Sequence, residues 1–350
     1  MRHAVIVSPN ASNAAGGVER MCVLLAGVFE RQGWSATIVG PEHEVTRWQF
    51  RLGAGPLVTS RAGSRAARSQ HPDLLVTNGY LGVGYSRRTP RIHVYHGTAV
   101  GAVRAVGADL SRRERVRHVL GYGSTEALSA RGARAVVCVS PSAATEVRRF
   151  YGVKGATVIP NGIDTAIFSP IPRAQARAQL AHLGLAPEGR YALFVGRMDH
   201  GKGARLILEA SKRAGFELMV AGRDGSPDAI NLGILEPQTL AVAYSAADCV
   251  LFPSMYEACS YVVLEALACG VPLITTRVGW MPTLLQAVPE YEALCVEPAL
   301  DEIVARLRAL AEIDTDRLTS RARAFVREHN SLERYSERWH TLLEAHAGVG

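Results

Sequence analysis

Apolar runs of three to five residues recur along the chain, each followed by a polar or glycine-rich stretch and usually by an apolar stripe at helical spacing. The first run is 4–8. A loop rich in Asn, Ser and Gly leads from it to Val18, Met21, Cys22, Leu25, Val28 and Phe29, which share one helix face. A second strand follows at 35–39, so the chain opens as βαβ. Further runs at 74–77, 91–95, 135–139, 193–195, 218–221, 249–252 and 273–275 continue the alternation. Strands that alternate with helices predict an α/β protein with parallel sheets covered on both faces. Pro160-Asn161-Gly162-Ile163-Asp164, with Pro170 and Pro172 beyond it, is a turn signal that divides the alternation into two series. Two Rossmann-like doubly wound domains are therefore predicted, 1–165 and 166–331. The final helix, about 332–350, carries Tyr335, Trp339, Leu342 and Leu343 on one face and is expected to dock on the first domain.

Composition narrows the class. At 350 residues the chain suits two domains, and 48% hydrophobic with 20% charged residues is a globular balance without a disordered tract. The net charge of +7 comes from arginines spread along the chain, which favours anionic partners from nucleotide phosphates to an acidic membrane surface and marks out no nucleic-acid patch. The stretch 104–118 is the densest in arginine; a solvated helix face is favoured there over a patch for an anionic acceptor or peripheral membrane contact, because aromatic anchors are few. Six cysteines lack CxxC or metal-ligand spacing and mostly lie in apolar runs, which points to free buried thiols in a reducing cytoplasm. Residues 1–8 read as a strand rather than a leader, and no window has the apolar length of a membrane span.

The chemistry gathers around 191–204, YALFVGRMDHGKGA, which reads as strand, glycine-rich loop and helix N-terminus. Backbone N–H groups and the positive end of the helix dipole favour a phosphate there, and Arg197 and Lys202 flank its place. Lys202 is one of only three lysines, so it is not a compositional default. Gly196 to Gly203 also matches GxxxxGK, but Gly203 stands where a P-loop NTPase needs the Ser or Thr that binds magnesium. Gly16-Gly17 opens the first helix and is a second candidate anion site, without the GxGxxG fingerprint. Ligands of such sheets bind at the carboxyl ends of the strands, in a cleft between the two halves, and His96, Ser140 and Glu257 fall at such ends. Glu265 lies in an almost wholly apolar helix. Its carboxylate needs a partner, with ribose hydroxyls and a structural arginine equally suited. Asp314-Thr315-Asp316 resembles a DxD metal motif but reads as a surface turn in a charged helical stretch.

The set Gly16-Gly17-Val18-Glu19-Arg20, Asn161-Gly162-Ile163-Asp164, Gly196-Arg197 with Gly201-Lys202-Gly203, and Glu257 to Glu265 as Glu-x7-Glu resembles retaining glycosyltransferase family 4 of the GT-B fold. The resemblance covers nearly the whole chain, in order. It implies a donor nucleotide-diphosphate sugar as co-substrate, held mainly by the second domain, with no metal or other cofactor. Arg197 and Lys202 would hold the diphosphate and stabilise the leaving group, Glu265 would take the ribose, and Glu257 the sugar hydroxyls. His96 would lie by the donor sugar, Gly16 and Gly17 near phosphate or acceptor, and the segment with Leu232 would be the loop that reads the base. The family's front-face mechanism needs no protein nucleophile, and none stands out. Cys259, Ser260 and Tyr261 depart from the family's glycine after the first glutamate, and 278–282 departs from a commoner Gly-Gly-x-x-Glu. Arginine in place of lysine points to a high-GC bacterium, and a small natural product such as an actinomycete antibiotic oligosaccharide, or a glycan, is the expected acceptor. A non-hydrolysing nucleotide-sugar epimerase and a catalytically silent sugar-nucleotide-binding protein are the rival readings.

Overall fold

The computed structural model describes residues 1–10, 16–41 and 53–346; the expected loop at 11–15 lies outside them. By internal contacts the chain forms two units, Met1–Gly162 with Glu333–Gly350, and Ile163–Leu332.

The first unit is built on a six-stranded parallel sheet in the order β2-β1-β3-β4-β5-β6. Its strands are β1 (His3–Val7), β2 (Ser35–Val39), β3 (Leu74–Asn78), β4 (Arg91–Tyr95), β5 (Ala135–Cys138) and β6 (Thr157–Val158). β3 and β4 are buried throughout, as strands covered on both faces must be, and that burial includes the polar Thr77, Asn78, Arg91 and His93. The described helices are α1 (Gly17–Arg31), α2 (Gly55–Arg68), α3 (Ala99–Val106), α4 (Arg112–His118), α5 (Ser124–Ser129), α6 (Pro141–Tyr151) and the terminal α14 (Leu332–His346). α14 buries Tyr335, Trp339, Leu342 and Leu343, and a Cβ on Gly162 would stand 2.7 Å from that of Tyr335, so the chain passes tightly beneath this helix. α4 starts with a capping box in which Ser111 and Glu114 exchange hydrogen bonds, and it buries no side chain.

One buried carboxylate ties this unit together. Glu126 of α5 is 8% exposed, accepts from the Ala99 N–H at the start of α3 at 2.8 Å and from the Tyr151 hydroxyl of α6. Burial pushes its pKa from 4.5 up to about 7. The folded state therefore keeps a proton that the unfolded chain has released. Stability from this group is full below about pH 4.5 and is lost as pH rises towards 7, with a limiting slope of about 1.4 kcal/mol per pH unit. Glu126→Gln cannot titrate, so its denaturation midpoint is expected to gain on the wild type between about pH 5 and about pH 8. Parallel midpoints at both pH values would assign the proton elsewhere.

The second unit carries a five-stranded parallel sheet, β11-β10-β7-β8-β9, from β7 (Tyr191–Val195), β8 (Glu217–Ala221), β9 (Ile230–Gly233), β10 (Cys249–Phe252) and β11 (Leu273–Thr275). Its helices are α7 (Arg173–Gln179), α8 (Ala204–Ala214), α9 (Pro237–Ala246), α10 (Tyr261–Ala268), α11 (Met281–Ala287), α12 (Leu300–Arg308) and α13 (Thr315–Asn330). β9 corrects the sequence reading, in which Asn231-Leu232-Gly233 was a loop. It is an edge strand of alternating half-buried and exposed residues, so it lacks the continuous apolar run of its neighbours. The parallel connection from β8 to β9 uses only 222–229 and no helix, where such crossovers normally need one. The Asn231 amide holds that short loop, accepting from Ser226 N–H and donating to Ser226 C=O, both at 2.8 Å. A groove of about 1040 Å³ runs along α8, β8 and β9 and reaches Gly203 and Met255. The DxD-like segment is also corrected: Asp314 is the N-cap of α13, accepting from Arg317 N–H at 3.2 Å. All six cysteines are free and buried.

Candidate active site

The residues picked from sequence fall into two groups, one in each unit. In the second unit, β7 and β10 are neighbours, so the loops that leave their carboxyl ends run side by side. Gly203 has φ +77°, and a Cβ there would stand 2.9 Å from the Pro253 ring, so glycine is needed for the two loops to close up. Met255 N–H then donates to Gly201 C=O at 2.9 Å. Gly279, φ +63°, supports the far side: a Cβ on it would meet the Glu257 and Ala258 carbonyls at 2.7 Å. This explains a glycine within 278–282 despite the departure from the family pattern.

The consequence is an ion pair between Lys202 Nζ and Glu257 Oε1, with side chains 25% and 15% exposed. Ser254 Oγ donates to the same carboxylate oxygen at 2.8 Å, and Nζ lies 5.1 Å from the Phe252 ring centroid. Arg197 is 74% exposed and pairs with Asp199 at 3.1 Å. The other Asp199 oxygen accepts from Lys202 N–H, also at 3.1 Å, so the amides expected to point freely outward are in part already bonded within the loop. Gly196, φ +133°, starts this turn.

Glu265 has a partner inside its own domain. It is 1% exposed, and the Tyr244 hydroxyl of α9 donates to its Oε2 at 2.7 Å. Ser260 is the N-cap position of α10 with φ −74°, ordinary for any residue, so the backbone freedom of glycine is not required there. Cys259 and Tyr261 are both buried at 7% exposure. Leu232 sits on β9.

In the first unit, His96 follows β4 and Gly97, φ +112°, turns the chain into α3. Its Nε2 is 2.9 Å from Asn78 Oδ1, and burial lowers the imidazole pKa to about 4, so the ring is neutral at physiological pH. Ser140 caps α6 by accepting from Ala143 N–H at 3.2 Å. Gly16 is the N-cap residue of α1, and the Glu19 carboxylate folds over it and accepts from Asn10 at 2.6 Å. Gly17, the first residue of α1, is exposed. Asn161 is buried next to Gly162 below α14.

Sequence reading missed Asn78, Ser254, Asp199 and Tyr244. Asn78 had a signal, a polar residue closing an apolar run; Tyr244 had none, because its role depends on how α9 meets α10.

Two parallel sheets with polar groups collected at strand ends define a two-domain, Rossmann-like α/β protein, and solved structures place it in the GT-B fold. Sucrose-phosphate synthase from Thermosynechococcus elongatus is similar with TM-score 0.79 at 23% identity, covering 99% of both chains. Anabaena HepE, solved with UDP-glucose, gives 0.69 at 15% identity over 99% and 100% of the two chains. More particularly, residues 15–167 match Glycosyltransferase Family 4, and 189–312 match Glycosyl transferases group 1, so the chain carries both domain types in that order. D-inositol 3-phosphate glycosyltransferase of Segniliparus rotundus is 31% identical over 55% of this chain and 47% of its own length. That of Mycobacterium marinum is 36% identical over 37% and 31%. The matched stretch thus spans less than half the length of these relatives.

Proposed function

We propose that the protein is a retaining glycosyltransferase that moves a sugar from a nucleotide-diphosphate sugar to an acceptor hydroxyl. The observation that carries this reading is the Lys202–Glu257 pair at adjacent strand ends, a cation and a carboxylate held together in a glycine-built loop. A donor diphosphate outcompetes one carboxylate for the Lys202 ammonium, and the displaced Glu257 becomes an acceptor for sugar hydroxyls. Lys202, with Arg197 swung from Asp199, then neutralises the charge that grows on the departing phosphate oxygen. Those cations take the part a metal plays elsewhere, so transfer is expected to persist in EDTA.

The test is incubation with a panel of nucleotide sugars and acceptors, read by mass for nucleoside diphosphate release and glycosylated product, with the anomeric configuration of the product read by NMR. The names of the relatives put inositol phosphates ahead of an antibiotic oligosaccharide among acceptors to try. Binding without transfer or donor hydrolysis would favour the silent role, and conversion of the donor alone to an isomeric sugar nucleotide would favour the epimerase.

The first unit's surface supports peripheral contact with an anionic membrane. Val116 and Leu120 are 48% and 66% exposed beside exposed Arg112, Arg113 and Arg115. Flotation with phosphatidylglycerol vesicles but not with phosphatidylcholine is expected, weakened by Leu120→Asp. Equal flotation with both lipids, or none, would remove this contact.

A further inference from the structure

We propose that Asn78 is the positioning residue for His96: anchored on the Val7 carbonyl, its amide oxygen keeps the imidazole proton on Nε2 and so presents Nδ1 as a hydrogen-bond acceptor to a substrate hydroxyl. The substrate part rests on the glycosyltransferase reading; the tautomer part does not.

Three adjacent strands, β1, β3 and β4, bring these groups together at their carboxyl ends. Asn78 is the last residue of β3 and 1% exposed. Its Nδ2 donates to Val7 C=O at 2.9 Å, with Cys22 Sγ at 3.5 Å. A carbonyl can only accept, so turning the amide over would set oxygen against oxygen in a buried place. Oδ1 is thereby directed at His96, 2.9 Å from Nε2. An amide oxygen also can only accept, so Nε2 must carry a proton. A ring with one proton then has it on Nε2, and Nδ1 is left with a lone pair. Burial keeps the ring neutral, which protects that arrangement. His93, three residues earlier, is held by a separate contact, Nδ1 to Thr77 Oγ1 at 2.8 Å, and serves as an internal control.

A hydroxyl donor on the substrate is the chemistry such an Nδ1 recognises. It selects for a sugar or acceptor that offers an O–H at this point and against one with a carbonyl or an ether there.

The experiment is multiple-bond proton–nitrogen NMR of the full chain with nitrogen-labelled histidine, near neutral pH and without substrate, the His96 signals being assigned by loss in His96→Gln. The wild-type ring is expected to be the Nε2–H tautomer. In Asn78→Leu, similar in size but unable to accept, that preference is expected to collapse towards a mixture while the His93 signals hold. An Nδ1–H or mixed ring in the wild type, or an unchanged ring in Asn78→Leu, overturns the proposal, and the wild-type spectrum decides even if the variant does not fold. With the donor in hand, kcat/KM of Asn78→Leu should fall about tenfold, the worth of one hydrogen bond, while affinity for the nucleoside diphosphate alone is unchanged. Loss of both would mark a merely structural residue. Absence of transfer in the panel assay counts against the glycosyltransferase reading and leaves the ring spectrum to judge Asn78.

Discussion

Lys202→Ala is expected to lower kcat by about 100- to 1000-fold, the range for deleting one preorganised group that stabilises developing negative charge. The Nζ atom is fixed before any ligand arrives: Glu257 holds it on one side and the Phe252 ring lies beneath it. A cation already oriented needs little reorganisation when charge grows on the leaving phosphate, and this makes its effect larger in the transition state than in the ground state. KM for the donor should therefore rise less than kcat falls. Arg197 does not substitute, being largely exposed and paired with Asp199 in the free protein. Lys202→Arg should recover only part of the loss, because a planar fork does not fit a site shaped for a compact ammonium. Removing the lysine also leaves Glu257 with Ser254 as its hydrogen-bond donor, so the thermal midpoint is recorded alongside. Steady-state kinetics with the donor found in the panel assay make the check. A variant that is folded and retains more than about a tenth of wild-type kcat would sink the assignment of Lys202 to the phosphate.

Strands with both faces covered were legible, because burial writes them as continuous apolar runs, as in β10. β9 was not, for the converse reason: at the edge of its sheet only every second residue needs to be half-buried, and four residues of that kind ending in glycine look like a turn. At the site, Lys202 and Glu257 each announced themselves at the end of a strand. That these two residues, 55 apart in the chain, pair depends on β7 and β10 being neighbours in the sheet, which periodicity does not encode. Glu265 shows the same limit from the other side. Its need for a partner followed from its apolar helix, but the Tyr244 hydroxyl came from helix packing that no local pattern records. At Gly16 the local point unread in the sequence was Glu19, which in the first turn of α1 lies over the helix end itself.

Glu257→Gln is expected to separate binding from turnover, with opposite signs. In the free protein the Glu257 carboxylate is bonded to Lys202 and competes with any diphosphate for the same ammonium. Glutamine keeps the shape and an amide oxygen for Ser254 Oγ but carries no charge, so Lys202 is released at lower cost and affinity for the nucleoside diphosphate should rise by about three- to tenfold, a fraction of one exposed-to-buried ion pair. The same change should lower kcat by about 100-fold, since a charged acceptor bonds a sugar hydroxyl roughly twice as strongly as a neutral one and its negative field stabilises the positive charge that develops at the anomeric carbon. The gain in affinity should shrink in high salt, because the competing attraction is electrostatic and only partly buried. Calorimetry with the diphosphate at two ionic strengths, set beside kcat for the same variant, reads both signs. Weaker diphosphate binding in Glu257→Gln would mean that the carboxylate supports the phosphate site instead of competing for its lysine, and the exchange of partners would have to be abandoned even if transfer itself were confirmed.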